Sequence, residues 1–231
     1  MVFNRSDAIT VSGAISGTGS LTQQGTGTLV LSGSNTYSGS TTVNSGSTLR
    51  VGGNNALPNG SGKGDVSLTG TLDLNGYSPS VNGLTGSGTV TSTVAGSVTL
   101  SVGNNNQTST FSGVVQDGSG TVSLTKVGTG TLTIGGTNTY TGTTTISAGT
   151  LQVGYTGSGS LGSGAVVDNA SLVFSAYVGS TTIANAISGT GTVTQSNGTG
   201  TVILTGSNTY SGTTTISSGT LQIGLLSRIR G

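Results

Sequence analysis

The sequence predicts an all-β fold of the solenoid type, a parallel β-helix of roughly ten coils, and three observations carry that expectation. Short runs alternate apolar and polar residues with period two, the signature of a strand with one buried face. Gly, Asn and Ser cluster between the runs, where turns need positive φ or local side-chain hydrogen bonds. The same block of residues also recurs three times along the 231-residue chain.

The three copies are GTGTLVLSGSNTYSGSTTVNSGSTLRVG at 25–52, GTGTLTIGGTNTYTGTTTISAGTLQVG at 128–154 and GTGTVILTGSNTYSGTTTISSGTLQIG at 198–224. Their starts lie 103 and 70 residues apart. The text between them echoes itself. TLDLNGY (71–77) matches SLVFSAY (171–177), GLTGSGTVT (83–91) matches AISGTGTVT (186–194), and AISGTGSLTQQ (14–24) matches AISGTGTVTQSN (186–197). Residues 1–231 therefore read as a single repeat array, and only the tail LLSRIRG (225–231) leaves the repeat vocabulary. Leu225, Ser227 and Ile229 continue the alternation after Ile223, so the tail reads equally as a capping strand or as foreign text.

Within each copy the first run presents an inward pair: Leu29 and Leu31, Leu132 and Ile134, Val202 and Leu204. The last run presents Leu49 and Val51, Leu151 and Val153, Leu221 and Ile223, with Arg50, Gln152 or Gln222 between them facing water. Val66 and Leu68 flank an outward Ser67, and by the same rule Leu72 and Leu74 flank an outward Asp73. A sandwich or small barrel needs longer strands and a bulkier core than these runs supply. A thin solenoid core needs only a few aliphatics per coil. Coils of about 20–25 residues give about ten of them, a rod of about 50 Å at ~4.8 Å per coil. The 70-residue spacing then fits three coils, and the 33-residue excess of the other spacing requires turns of varying length.

Composition narrows the chemistry. Gly, Thr and Ser number 44, 44 and 36, which alone suggests a flexible linker. Disordered chains, however, are charged and poor in β-branched residues, whereas here 5% of residues are charged and Pro occurs twice. With no His and no Cys, the usual ligands of zinc, iron–sulfur clusters and haem are missing, as are the usual general base and thiol nucleophile. A formal charge of +1 gives no footprint for nucleic acid. No apolar run approaches the ~20 residues of a membrane-spanning helix. The N-terminal MVFNRSDAITVSG does not read as a signal peptide, so an export signal is not expected on this chain.

The repeats closely resemble the autotransporter-associated β-strand repeat of bacterial type V passenger domains. The residues that carry the resemblance are G-T-G-T-[LV], the S/T-N-T-Y-[ST]-G blocks (Ser34 to Gly39, Thr137 to Gly142, Ser207 to Gly212), T-T-[VI] and T-L-x-[VI]-G. The resemblance spans residues 8–224 and implies a right-handed parallel β-helix. It also implies a stalk on the outer surface of Gram-negative bacteria that holds an adhesive or enzymatic region away from the membrane. The family's signal peptide and C-terminal barrel have no counterpart in this text, which suggests a passenger fragment or a free-standing protein built from the same repeat.

Tyr37, Tyr140 and Tyr210 in the N-T-Y blocks could form exposed stacking positions for sugars. The preferred reading has each Tyr covering a corner while Asn35, Asn138 and Asn208 satisfy turn backbone groups. Asp65 and Asp73 could be near neighbours on the outer face, as a carboxylate pair in a β-helix polysaccharide enzyme must be. Their repeat partners are Ala165 and Val173, so solvated carboxylates are preferred, and Asp117 and Asp168 read the same way in turn-like text. Calcium, phosphate and Ser-His-Asp motifs are absent from the sequence. No catalytic, cofactor-binding or metal-binding residue is therefore expected. The expected function is a structural or adhesive stalk at the cell surface, with a head-to-tail fibre subunit and a polysaccharide enzyme as alternatives. Expected partners are further copies of the chain, or surface glycans and proteins.

Overall fold

The computed structural model describes residues 1–155, 159–175, 179–196 and 198–224. Every paired strand is parallel, and the strands stack as a β-solenoid of about ten turns with no helix among the described residues. The tail at 225–231 lies outside the described residues.

Each turn has three faces. Eleven strands form the first face, from Val2–Phe3 through Leu21–Gln23, Thr41–Val43, Val66–Leu68 and Leu84–Thr85, then from Ser109–Phe111 to Thr214–Ile216. A bridge between Gly86 and Phe111 joins its two halves. The second face runs from Ile9–Val11 and Thr28–Leu31 through Val114–Val115, and resumes at Ser180–Ile183, Thr201–Leu204 and Thr220–Ile223. On the third face lie Ser80–Val81, Gly96–Val102, Gly120–Lys126, Thr144–Ile146, Val166–Asp168 and Ile187–Ser188.

Register explains why the repeats stack. Leu29 pairs with Leu49 and Leu49 with Leu72, so identical columns of aliphatics run along the rod. The inward pairs read from the sequence are buried in all three copies, apart from Leu221 and Ile223 in the last coil. Arg50, Gln152 and Gln222 face outward and are half-buried. Between the inward columns of the first face runs an outward column rich in Thr, including Thr22, Thr42, Thr85, Thr110, Thr133 and Thr194. β-Branched residues suit that pleated, half-buried surface.

Coil length varies as anticipated, from 18 residues (Ser67 to Thr85) to 25 (Thr42 to Ser67). The 70-residue spacing, however, is not three coils. Three coils carry Leu132 through Leu151 and Leu172 to Val193, 61 residues on. Residue 202, the counterpart of Leu132 in the third copy, lies one face further round the coil. The first and third copies accordingly begin on the second face and the middle copy on the first. A block of this length folds equally well from either face because each face offers the same backbone ladder and the same inward spacing.

Candidate functional site

The polar residues singled out by sequence are the Asn-Thr-Tyr corners and the aspartates, and the structure adds buried polar groups within the core columns.

At each corner the Asn spans neighbouring coils. Asn35 accepts from Ile15 N at 2.8 Å and donates through Nδ2 to Ala56 O at 2.7 Å. Asn138 accepts from Val115 N at 2.7 Å and donates to Ser160 O at 2.7 Å. Asn208 accepts from Ile187 N at 3.0 Å. These amides replace strand ladder bonds where the chain bends, which satisfies backbone groups that would otherwise be buried unpaired.

Two residues on, the Tyr turns inward. Tyr37 and Tyr140 are buried, and each phenol shares a hydrogen bond with the hydroxyl four residues later, Thr41 at 2.6 Å and Thr144 at 2.7 Å. Burial raises both phenol pKa values. The third copy repeats the bond at 2.8 Å to Thr214 but leaves Tyr210 half-buried. Tyr37 and Tyr140 are therefore corner fillers in the core, with their rings covered. Tyr140→Phe strands the buried Thr144 hydroxyl and is expected to cost about 1–2 kcal/mol. Tyr210→Phe, at an exposed bond, should shift the thermal midpoint by much less.

The aspartates occupy separate corners. Asp65 accepts from Gly83 N at 2.7 Å, before a strand of the first face. Asp117 accepts from Val122 N at 2.7 Å and from the Thr141 hydroxyl at 2.6 Å. Asp73, expected in water, is buried. Its carboxylate accepts from Arg50 Nε at 2.8 Å, Thr93 Oγ1 at 2.7 Å, Thr93 N at 3.0 Å and Asn75 N at 2.9 Å. Asp65 and Asp73 thus bond to separate sets of donors. Burial alone would raise the Asp73 pKa, but the donors from Thr93, Arg50 and Asn75 outweigh it and hold the carboxyl below the ordinary value. Asp73 therefore stabilises the fold above the usual carboxylate range, and that stabilisation is lost as pH falls through its depressed pKa.

Asp168 behaves oppositely. Expected in a solvated turn, it ends a strand of the third face at an inward position, fully buried. Oδ1 accepts from Ala170 N at 3.0 Å, whereas Oδ2 has no partner. Burial raises its pKa. The native state thus holds the proton more tightly, so this group's contribution to stability is present below the unfolded pKa of ~3.9 and lost as pH rises through the folded value. Asp168→Asn removes the charge and should raise stability at pH 7 by roughly 1–2 kcal/mol. The gain should shrink toward pH 4, as urea melts at both pH values would record.

Further buried polar residues, among them Gln23, Lys126 and Gln195, are not singled out by the sequence. Lys126 lies in the Asp168 column with Ile146 between them. Its ammonium donates to the carbonyls of Val127 (2.6 Å), Gly128 (2.8 Å) and Ala148 (3.2 Å), and burial lowers its pKa. Gln23 donates to Gly25 O at 3.0 Å and Gly27 O at 2.7 Å. The signal was present in LTQ and SLTK, where the period-two rule places Gln23 with Leu21 and Lys126 with Leu124 on the inner side.

Among the described residues no three acidic or metal-ligating side chains converge. A groove of about 250 Å³ lies along the corner of the first copy, bordered by Thr36, Asn55, Pro58 and Lys63. Lys63 Nζ donates to Thr36 O across it.

The family described as the passenger-associated-transport-repeat matches the chain at residues 21–51, 124–153 and 197–223. Three segments of the chain are thus similar to the passenger-associated transport repeat. Each match falls on one copy of the block and runs for more than one solenoid turn, with the Asn-Thr-Tyr corner inside it. Comparison with curated proteins and with solved structures returned no match. The transport repeat thus agrees with the resemblance to autotransporter passengers and with the observed solenoid.

Proposed function

We propose that the chain is a structural segment of a secreted bacterial passenger, a stalk at the cell surface that performs no catalysis of its own. The observation that carries this reading is that the Asn and Tyr of the transport repeats, and the aspartates between the repeats, bond within the rod. Asn35 and Asn138 tie successive coils, Tyr37 and Tyr140 fill corners, and Asp65, Asp73 and Asp117 accept from backbone amides of the same rod. The continuous columns of Leu, Val and Ile give a core that extends with coil number, which is what a spacer needs.

The test is surface display. The chain is placed between an N-terminal epitope and an outer-membrane barrel, and the epitope's distance from the membrane is measured with and without it. An added height of about 50 Å, ten coils at ~4.8 Å, is expected. An unchanged height, or polysaccharide cleavage abolished by Asp65→Ala or Asp73→Ala, would overturn the reading.

A further inference from the structure

The two ends of the described rod are built from the same text in the same orientation. Residues 14–52 and 186–224 align over 38 positions with one extra residue in each segment, and the register carries Thr22 to Thr194 through eight coils of the first face. Both terminal transport repeats start on the second face. The environments of the two copies nevertheless differ sharply. In the first copy the next coil covers the edge, with Leu68 against Val43 and Leu72 against Leu49, so that Val43 and Val51 are 0% and 1% exposed. In the third copy the equivalent Ile216 and Ile223 are 54% and 66% exposed. Together with Tyr210, Thr214 and Leu221 they line an open apolar recess of about 520 Å³. Strands Thr214–Ile216 and Thr220–Ile223 are edge strands among the described residues, with a free ladder side.

The opposite end offers what fits there. Strand Val2–Phe3 opens the first face and Ile9–Val11 the second, and both are edge strands among the described residues. Phe3, Ile9 and Val11 point into the core but are only partly buried, and Met1 and Val2 are 64% and 61% exposed. Continuing the register across the two ends sets Ile216 against Phe3, Leu221 against Ile9 and Ile223 against Val11. We infer that the C-terminal edge of one copy receives the N-terminal coil of a second copy, head to tail, with strands in register on two faces. The occupant is identified from within the chain: where this edge recurs in the first repeat, a parallel coil bearing aliphatics at the same inward positions covers it.

Register gives a sharp test, because the chain has no Cys. In the proposed contact Thr215 lies directly over Val2, at the ~4.8 Å strand spacing that a disulfide bridges. The full chain carrying both Val2→Cys and Thr215→Cys is expected to give a ladder of covalent dimers, trimers and longer species on oxidation. Either single variant should give no covalent species at that contact, since like ends do not meet. Sedimentation should also show concentration-dependent rods in multiples of one chain length. Ile216→Lys should weaken that association by about tenfold or more, because it sets an unpaired charge in the contact. Its circular dichroism should be unchanged, since the side chain is already exposed in the single chain. A chain that stays monomeric at all concentrations overturns the inference. So does a ladder no longer than those of the single variants, or association that Ile216→Lys leaves intact. A failed display experiment would remove the stalk reading and leave this contact standing.

Discussion

Replacing Leu132 by Asp is expected to remove about 5 kcal/mol of stability or more. Leu132 sits mid-rod with its side chain 2% exposed, stacked between Ser109 and Leu151. The substitution forfeits roughly 1.5–3 kcal/mol of apolar burial and leaves an unpaired carboxylate in a dry column, a cost of several kcal/mol more. Gln152→Glu is the matched comparison, one coil further along the same face. Gln152 points outward, half-buried, with one long bond of 3.3 Å to Gly154 O, so its change should stay within about 0.5 kcal/mol. Thermal or urea melts of the two variants decide the point, and equal midpoints would mean that the inward and outward positions are exchanged. Because a solenoid coil touches only its neighbours, hydrogen exchange in Leu132→Asp should rise first in Ser109–Phe111 and Thr150–Val153.

Gly136→Ala is expected to cost about 3 kcal/mol, the upper part of the range for overpacking. Gly136 is the glycine two residues before the corner Asn of the middle repeat, matched by Gly33 and Gly206. A Cβ there would lie 1.8 Å from the carbonyl oxygen of Gly113 in the preceding coil. At Gly33 and Gly206 the same atom would meet the carbonyls of Gly13 and Asn185 at 2.4 and 2.0 Å. The obstacle is backbone on a neighbouring coil, so no side chain can move aside. Gly13→Ala is the control, since a Cβ at Gly13 meets nothing within 4 Å. A melt in which both variants lose the same stability would show that the corner yields after all.

That corner also shows where sequence and structure part. Glycine between strands suggested turns with positive φ, and Gly46, Gly149 and Gly219 in the T-T-[VI]-x-x-G segments do have it. Gly33, Gly136 and Gly206 are not in that region; they are required by how closely two coils approach, a distance between residues about twenty apart that local composition does not encode. The inward aliphatics were legible because alternation alone determines them. Asp73 was not, because its burial depends on Arg50 from the coil before and Thr93 from the coil after. Asp168 was misplaced for a different reason. VVD puts it on the inner side with Val166, yet the flanking Asn and Ala suggested a turn. The Asn-Thr-Tyr corner was read correctly in kind, although nothing in the text distinguished the covered Tyr37 from the half-buried Tyr210.

The one-face offset of the middle repeat bears on how such a rod can grow. A duplication that adds a whole number of coils preserves the heading of every loop beyond it. One that adds a fraction swings the rest of the molecule about its long axis by roughly a third of a revolution, at no cost to the core. Here the 103-residue step turns the Asn-Thr-Tyr corner away from its original side, and the 70-residue step turns it back. Insertion length in this architecture therefore acts as a dial for the compass direction in which surface loops point.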